Sequence, residues 1–388
     1  MPDFRGPRGG VTAMFILNGA LFGIWASRIP AFVDHFALTS DQLGLLLLCL
    51  GGGAIVSFPL AGRASDRRGA AGVTRVIALA YAVSLAALAL SPNLPVLALA
   101  LLAFGAAHGA MDVTMNAWGA EVERRMARPI LPVFHAMWSL GAGLGAASGF
   151  AAVRLGVPVG PHFLVLGALV TAVALWFARI DWKSDRSDAP GSVFAIPKGR
   201  LALVGLIAMS AALCEGAMAD WSAVFLDSVK GIDEARAALG YVAFSAAMVG
   251  VRLSGAATVA WLGTTLSARL SGVCVFLGVV TVLLAPALAI ALAGFALIGA
   301  GAALIMPLAF SRAAADPLIR PGRAIASVAT LGYGGMLMGP PLIGFLADAT
   351  TLSFAFAVLA VFGVAIVALA PCLVIPAKGD LDPDGALR

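Results

Sequence analysis

Twelve apolar segments, each long enough to cross a lipid bilayer as a helix, occupy almost the whole chain. About 20 helical residues span the ~30 Å hydrocarbon core, and backbone within lipid must satisfy its own hydrogen bonds. Only 12% of the residues are charged and 61% are hydrophobic, which is unlike a soluble domain. The sequence therefore predicts an all-α membrane protein with 12 transmembrane helices in two six-helix halves. The predicted spans are 11–33, 42–61, 71–91, 94–119, 132–153, 160–180, 201–226, 237–258, 264–285, 287–311, 324–347 and 351–376.

The lysines and arginines are distributed unevenly between the two sides that these spans define. With a cytoplasmic N-terminus, 21 of the 25 basic residues fall on the cytoplasmic side, and Arg252 is counted among them. The other four are Arg28, Arg154, Lys230 and Arg236. Membrane proteins keep their basic connections in the cytoplasm. Both termini are therefore predicted to be cytoplasmic, in a bacterial inner membrane.

The longest polar connection divides the spans into two groups of six. It runs from Asp181 to Arg200, between the sixth and seventh spans. This predicts an N-terminal six-helix bundle (1–181), a cytoplasmic linker (182–200) and a C-terminal six-helix bundle with a short cytoplasmic tail (201–388). Two such halves related by an axis along the membrane normal are one plan of secondary transporters. Glycine-rich runs at 141–145 and 332–335 predict close contacts between helices.

A short motif follows the second span, where Gly62, Asp66, Arg67 and Gly69 form the pattern Gly-x3-Asp-Arg-x-Gly. The motif resembles the signature loop of the major facilitator superfamily, and the resemblance extends from residue 11 to about residue 376. Glycines allow a tight turn between helices, and the Asp66 carboxylate suits a helix N-terminus or a loop arginine. These four residues are therefore predicted to gate the cytoplasmic side. A simple solvated loop is the alternative.

Within that superfamily, the sequence resembles the fucose-permease-like carriers of sugars and small solutes. This resemblance rests on Trp-Ala-Ser-Arg-Ile-Pro at 25–30, Asp112-x3-Asn116, Phe134-His135 and Gly332-Tyr333 with Gly339-Pro340. It implies proton symport, in which carboxyl groups of the first and fourth helices take part. The first span of this chain contains no carboxyl group, so only Asp112 of the fourth is carried over. The identity of the solute and the coupling stoichiometry stay open.

Three carboxyl groups lie between the predicted helix ends, those of Asp112, Glu215 and Asp220. A charge within lipid is costly, so each is a functional candidate. His108, Asp112 and Asn116 recur every four residues and so share one stripe of a helix. We predict Asp112, His108 and Glu215 as proton-coupling residues, with Asp112 facing a wet chamber shared by both halves. A static hydrogen bond from Asp112 to His108 or Asn116 is the alternative.

Further polar and aromatic residues are predicted to bind the solute. They are Asn18, Trp25, Arg28, Asn116, His135, Trp138 and Tyr333. For Trp138, stacking on a solute ring and packing against lipid or core are both open. Arg28 lies near the outer end of the first span, where four roles are open. The side chain forms an outer gate, binds an anion, pairs with Asp34, or extends its charged end outward to water. Asp220 and Trp221 are assigned to the outer rim.

Motifs for other chemistries are absent from the sequence. It contains no Gly-x4-Gly-Lys-Ser/Thr phosphate loop and no His-Glu-x2-His or Cys-x2-Cys metal motif. We therefore predict a non-enzymatic secondary transporter without a cofactor, which moves a small polar solute by proton-coupled alternating access. Its partners are the solute, protons and the lipid bilayer, without nucleic acid, and it acts as a monomer. An exporter of drug-like or hydrophobic compounds is one alternative, and a membrane sensor or enzyme without transport is the other.

Overall fold

The computed structural model describes residues 6–126, 130–186, 197–316 and 321–374. Part of the predicted linker (187–196), the predicted tail and the last residues of the twelfth predicted span lie outside the described residues. The helices are α1 (Pro7–Ala26), α2 (Ile29–Phe36), α3 (Ser40–Arg68), α4 (Ala70–Ala89), α5 (Leu94–Met126), α6 (Leu131–Arg154), α7 (Val159–Pro161), α8 (Gly167–Ala178), α9 (Arg200–Ser228), α10 (Glu234–Ala237), α11 (Leu239–Leu262), α12 (Thr264–Leu284), α13 (Leu288–Ala302), α14 (Ile305–Ala314), α15 (Pro321–Ala349) and α16 (Leu352–Leu369). A π-helical turn (His162–Leu166) joins α7 to α8, and a 3₁₀ turn (Ala370–Leu373) follows α16.

Among the described residues, 11 helices are long and apolar enough to cross a membrane. They correspond in order to 11 of the predicted spans, with α1 and α2 forming one continuous span and α13 and α14 another. The remaining prediction, 324–347, falls on α15, which is 29 residues long. Its glycines together with Pro340 and Pro341 lower its mean hydropathy, and it is not among the 11. The prediction of many membrane-spanning helices is confirmed, and the count of 12 stays a prediction.

Glycines at equivalent positions end two of the long helices. Gly69, with φ of 92°, separates α3 from α4, and Gly263, with φ of 76°, separates α11 from α12. A residue without Cβ takes this left-handed backbone without strain. The chain therefore turns sharply at the same place after its second and eighth predicted spans.

The helices pack in a pattern that occurs twice along the chain. In the N-terminal group, α1 packs on α6 and α3 packs on α5. In the C-terminal group, α9 packs on α15 and α11 packs on α13. In each group the first span therefore packs on the fifth, and the second on the fourth. The two groups meet where α6 packs on α11 and α3 packs on α15.

Burial separates the inner helices from those that face outward. In α1 and α9 most residues are buried, whereas other helices expose large apolar side chains. Examples are Val56, Val83, Leu99, Val165 and Trp261. In water such a surface would drive aggregation, whereas in a bilayer it matches the lipid chains. The apolar exterior therefore supports the membrane location that the sequence predicts.

Glycines bring the helix backbones into direct contact, as the glycine-rich runs predict. A Cβ atom added at Gly141 of α6 would lie 2.2 Å from the carbonyl oxygen of Ile16 on α1. One added at Gly335 of α15 would lie 2.6 Å from the carbonyl oxygen of Met209 on α9. No side chain fits at these distances, so the role of both runs in close packing is confirmed.

The basic side is the end of the bundle at which Arg124 and Asp185 lie, and the opposite side is the end at which Arg28 and Glu234 lie. α3 begins at the opposite side and ends at the basic side.

The N-terminal part of α3 crosses the C-terminal part of α15 towards the opposite side. The crossing occurs at Gly44 and Gly344, and a Cβ atom added at Gly44 would lie 3.1 Å from the Cα atom of Gly344. At this crossing each helix contacts the other through a glycine, without an intervening side chain. The two groups of helices therefore approach closely at this end of the bundle.

Candidate functional site

Asp112 lies on α5 and is half-buried at the interface between the two groups of helices. The Asn116 side chain donates from Nδ2 to Oδ1 of Asp112 at 3.2 Å and to the Asp112 carbonyl oxygen at 2.9 Å. The Tyr333 hydroxyl of α15 lies near the Asp112 carboxyl group and interacts with it. The carboxyl group is therefore held by its own helix and by a helix of the other group, and it faces α15.

His108 shares the stripe of α5 that contains Asp112 but binds different partners. Its Nδ1 atom is 2.9 Å from the Tyr81 hydroxyl of α4. Its ring stacks on Phe22 of α1, with 4.9 Å between the ring centroids. Of the two static bonds considered as alternatives, the bond from Asn116 to Asp112 is present, and none joins His108 to Asp112 among the described residues.

A second charged group lies across the same interface. Arg252 of α11 approaches Glu215 of α9 with 3.4 Å between Nη2 and Oε2, and the two side chains are only 10% and 9% exposed. Arg252 also donates from Nη1 to Oγ of Ser139 on α6, at 2.6 Å. The prediction that Arg252 belongs to the cytoplasmic side is wrong, because α11 continues well beyond it to Leu262. Arg252 is an interior residue that joins both groups of helices.

Two predicted solute-binding residues lie on α6 near this pair. The His135 ring packs edge-on against Phe15, with 5.4 Å between ring centroids, and is close enough to Arg252 for their charges to interact. Trp138 is buried, and its ring centroid lies 6.4 Å from that of Phe22. The same region of α6 therefore contributes an imidazole and an indole.

The Tyr333 hydroxyl is near enough to Asp112 and to Glu215 for both of their charges to act on it. We call the residues that meet here the central cluster: Asp112, Asn116, His135, Ser139, Glu215, Arg252 and Tyr333. Sequence reasoning missed Ser139 and Arg252, although Arg252 lies within the predicted span 237–258, where a charge signals function. Within the described part of the chain, no three His, Cys, Asp or Glu side chains are grouped as metal ligands.

Asn18 and Trp25 lie in the packed interior of the N-terminal group, and both are almost completely buried. Asn18 Nδ2 is 3.6 Å from Sδ of Met115 on α5, and the Trp25 ring packs against Phe32 and Phe104. The Asn18 Oδ1 and Trp25 Nε1 atoms have no hydrogen-bond partner among the described residues. A buried polar atom without a partner is costly. Both side chains therefore stay candidates for contact with a solute or with water.

Arg28 forms an ion pair between the two groups of helices on the opposite side. It lies between α1 and α2, is only 4% exposed, and its Nε atom is 2.7 Å from Oε1 of Glu234 on α10. Its Nη1 atom also donates to the carbonyl oxygen of Val157 at 3.3 Å. Pairing with Asp34 and extension outward to water are therefore wrong, because Arg28 is enclosed and its partner comes from the other group.

Asp220 and Trp221 are buried within α9 and do not form an outer rim. The Trp221 indole donates from Nε1 to the carbonyl oxygen of Pro340 on α15, at 2.9 Å. Oδ1 of Asp220 has no hydrogen-bond partner among the described residues. α9 is enclosed by its neighbours over most of its length, and for this reason neither side chain reaches the surface.

The motif from Gly62 to Gly69 is mostly helical, so its prediction as a loop is wrong. α3 continues to Arg68, because alanine and arginine favour a helix and only Gly69 adopts a left-handed conformation. Asp66 and Arg67 are exposed. Asp66 forms no ion pair with any residue that the structure describes. Gating by Gly62, Asp66, Arg67 and Gly69 stays a prediction.

The segment that follows α8 folds over the basic side. Asp185 Oδ2 is 2.8 Å from Nη2 of Arg124, and its Oδ1 is 3.2 Å from Nη2 of Arg125. Hydrogen bonds from these two guanidinium groups lower the pKa of Asp185 below its ordinary value. Asp185, Arg124, Asp66 and Glu121 help to line an open pocket of about 220 Å³. The motif residue Asp66 therefore faces this segment.

Comparisons with known proteins agree with this arrangement. Residues 11–317 match a family described as Major Facilitator Superfamily. The "Uncharacterized transporter y4wD" of Sinorhizobium fredii is 48% identical over 369 residues, which cover 95% of this chain and 98% of that protein. The "Membrane protein MosC" of Rhizobium meliloti is 30% identical over 359 residues, which cover 91% of this chain and 87% of that protein.

Solved structures share the fold at low sequence identity. The nucleoside transporter NupG superposes with a TM-score of 0.70 at 14% identity, covering 95% of this chain and 99% of that one. A D-xylose-proton symporter superposes with a TM-score of 0.73 at 14% identity, covering 95% of this chain and 97% of that one. Identities this low establish the fold and nothing about the solute.

Proposed function

This chain belongs to the major facilitator superfamily, and we propose that it is a proton-coupled secondary transporter of a small polar solute. The relatives named as transporters support a role in transport without catalysis. The observation that carries the proposal is the position of Asp112, a half-buried carboxyl group held between α5 and α15. A carboxyl group placed there changes its contacts with both groups of helices when it binds or releases a proton.

The proposed architecture has 12 transmembrane helices in two six-helix halves, at 1–181 and 201–388, joined by a linker at 182–200. It treats α15 as the eleventh span, because its 29 residues are long enough to cross the bilayer. The repeated packing supports it, since α1 on α6 and α3 on α5 correspond to α9 on α15 and α11 on α13. Two halves of this kind place a binding site near the midplane between them.

The proposed orientation puts the basic side in the cytoplasm of a bacterial cell, with both termini on that side of the inner membrane. The uneven distribution of lysine and arginine supports this orientation. The relatives from Sinorhizobium and Rhizobium support a bacterial membrane.

The proposed cycle is alternating access, with the opposite side closed in this structure. The ion pair of Arg28 with Glu234 and the crossing of Gly44 with Gly344 both join the two halves at that end. Opening to the outside requires the ion pair to separate. The exposed Asp66 is proposed to form its gating contact when the basic side closes instead.

Proton coupling is proposed to act through the hydrogen bonds of Asp112. An ionised carboxylate accepts strong bonds from Asn116 and Tyr333, and a protonated carboxyl group is a weaker acceptor. Protonation therefore weakens the contact between α5 and α15 and links the charge to the position of the halves. His108 and Glu215 are the proposed proton partners.

The proposed solute is polar and similar to a sugar, because the central cluster offers donors, acceptors and aromatic rings together. Asn116, His135, Trp138 and Tyr333 are proposed to contact it, with Asn18, Trp25 and Arg28 as further candidates. Resemblance to fucose-permease-like carriers supports this class. So do the printed names of two structural neighbours, a nucleoside transporter and a D-xylose-proton symporter.

Uptake of radiolabelled sugars and nucleosides into proteoliposomes with an acidic exterior tests the proposal. At least one solute is expected to accumulate, and a protonophore is expected to abolish its accumulation. Asp112→Asn keeps the hydrogen-bonding shape but binds no proton, so accumulation should be lost while exchange of labelled for unlabelled solute persists. Asp220→Asn serves as the matched control, because it removes a different buried carboxyl group, which lies on α9.

Three results would contradict the proposal. Undiminished accumulation by Asp112→Asn would show that Asp112 is not the coupling group. Expulsion of the solute against the gradient would favour an exporter, and chemical turnover without translocation would remove the transporter altogether.

A further inference from the structure

Arg252 is a central charged side chain that the proposed proton cycle does not use. We propose that Arg252 binds an oxygen atom of the solute and that the solute is an uncharged, hydroxyl-rich molecule. The inference rests on the proposed transport function and deepens it, because it assigns a binding residue and a chemical class of solute.

Arg252 is placed where a solute between the halves would meet both of them. Its Nη1 atom contacts Ser139 of the N-terminal group at 2.6 Å, and its Nη2 atom lies 3.4 Å from Glu215 of the C-terminal group. The charge of Arg252 also acts on His135. Only 10% of its side chain is exposed, so Arg252 is enclosed but not completely buried.

Two of the three contacts of Arg252 are weak enough to be exchanged. A guanidinium group has five N–H donors, and good N–H···O bonds lie near 2.9 Å. The contacts of Arg252 with Glu215 and with the carbonyl oxygen of Ala303 are both 3.4 Å long. A solute oxygen at an ordinary hydrogen-bond distance therefore competes well for these donors, whereas the shorter bond to Ser139 is better satisfied.

The charges around Arg252 favour an uncharged solute. Glu215 offsets Arg252, so with a neutral His135 the central cluster is uncharged once Asp112 binds its proton. An anionic solute would then bring an uncompensated charge among apolar helices, which is costly. A hydroxyl group brings none, and it donates to the Glu215 carboxylate while it accepts from Arg252. A molecule with several hydroxyl groups fits this pair and the Tyr333 hydroxyl together.

Equilibrium binding to the purified full chain in detergent at fixed pH tests this inference without any proton gradient. The probes are D-glucose, D-xylose and uridine, together with D-glucuronate and D-gluconate as anionic counterparts. We expect at least one neutral probe to bind and the anionic probes to bind at least about tenfold more weakly. Arg252→Lys should weaken neutral binding by about tenfold or more, the loss expected when a charged hydrogen bond is removed.

A charge-neutral variant distinguishes loss of solute binding from loss of folding. Glu215→Gln with Arg252→Gln removes the ion pair without leaving a buried charge, so it should keep its melting temperature and still lose solute affinity. Arg75→Lys is the matched control, because Arg75 is a half-buried arginine bonded to carbonyl oxygens on the basic side, away from the cluster. Its solute affinity should stay within about threefold of the parent protein, since no solute contact is lost.

Three results would overturn the inference. They are unchanged affinity in the double variant, preference for an anionic probe, and absence of binding by every neutral probe. Because no gradient is imposed, binding that depends on Arg252 would stand even if proton-driven uptake failed. Proton-driven uptake with unchanged binding in the double variant would preserve the proposed function and remove only this inference.

Discussion

Glu234→Gln is expected to open the opposite side of the protein. Arg28 is enclosed between the two groups of helices, and Glu234 is its anionic partner. Glutamine keeps the shape and an acceptor oxygen but removes the charge. The closed form is then left with an uncompensated guanidinium group, whereas in an open form water would hydrate it. The substitution therefore disfavours the closed form selectively.

The size of the effect follows from the exposure of the two partners. Removing one partner of a fully buried ion pair costs about 3–5 kcal/mol, and removing one of an exposed pair costs about 0–1 kcal/mol. The side chains of Arg28 and Glu234 are 5% and 25% exposed, so we expect an intermediate loss of about 2 kcal/mol. That loss corresponds to a shift of about 30-fold in the equilibrium between closed and open forms.

The same segment contains a matched control. Asp233 pairs with Arg236, and these side chains are 51% and 54% exposed. Asp233→Asn removes one carboxylate next to Glu234, but from a hydrated pair that joins no other element. It should leave the equilibrium between closed and open forms almost unchanged.

Electron paramagnetic resonance distances measure the outcome. Spin labels at Leu155 and Ala287, both exposed on the opposite side, report the separation of the N-terminal and C-terminal groups. The four free cysteines are first replaced, so that only the labelled positions react. A longer-distance population should grow in Glu234→Gln and not in Asp233→Asn. Identical distance distributions in all three proteins would refute the role of the Arg28–Glu234 pair in closing this side.

Three further outcomes follow from the contacts. Gly53→Ala places Cβ 2.0 Å from a backbone oxygen of α5, so it should lower the free energy of unfolding by about 1–3 kcal/mol or more and reduce the melting temperature. Gly52→Ala is the control, because a Cβ atom there meets open space and should be tolerated. Because two arginines lower the pKa of Asp185 below its ordinary 3.8, its ionised form should keep the linker segment docked from neutral pH down to about pH 4. Hydrogen exchange measures the outcome, and protection of that segment should be lost only as the pH falls further. Loss of protection already at pH 6 would contradict the role of the Asp185 carboxylate. Trp221→Phe leaves the Pro340 oxygen without its donor and should cost about 1 kcal/mol in thermal unfolding, and an unchanged melting temperature would argue against that bond.

Hydropathy was sufficient to predict the helices because a bilayer imposes a minimum apolar length that few other structures require. It was a poor guide to where helices end, since it records contact with lipid and not backbone conformation. α3 continues to Arg68 and α5 to Met126, beyond the apolar parts of both helices. Hydropathy alone therefore predicts a loop for the superfamily motif, most of which belongs to a helix.

The central cluster was only partly predictable for a related reason. Asp112, Asn116 and Glu215 were found because a carboxyl group or its amide neighbour within an apolar span is unusual. Arg252 stands out less, because it lies near the end of the predicted span 237–258, where an arginine also fits the cytoplasmic set of basic residues. The pair of Arg28 with Glu234 joins residues 206 positions apart, and no local pattern reports a contact of that kind.

The backbone crossing of Gly44 and Gly344 has a mechanical consequence for the proposed tilting of the halves. Interlocked side chains must disengage before two helices rotate against each other, and each disengagement raises the barrier to the motion. Bare backbones have nothing to disengage, so this crossing adds little to the barrier for the separation of the halves that is proposed to open the opposite side. A methyl group added at Gly344 would lie 2.6 Å from the Cα atom of Gly44 and would hold the two helices apart.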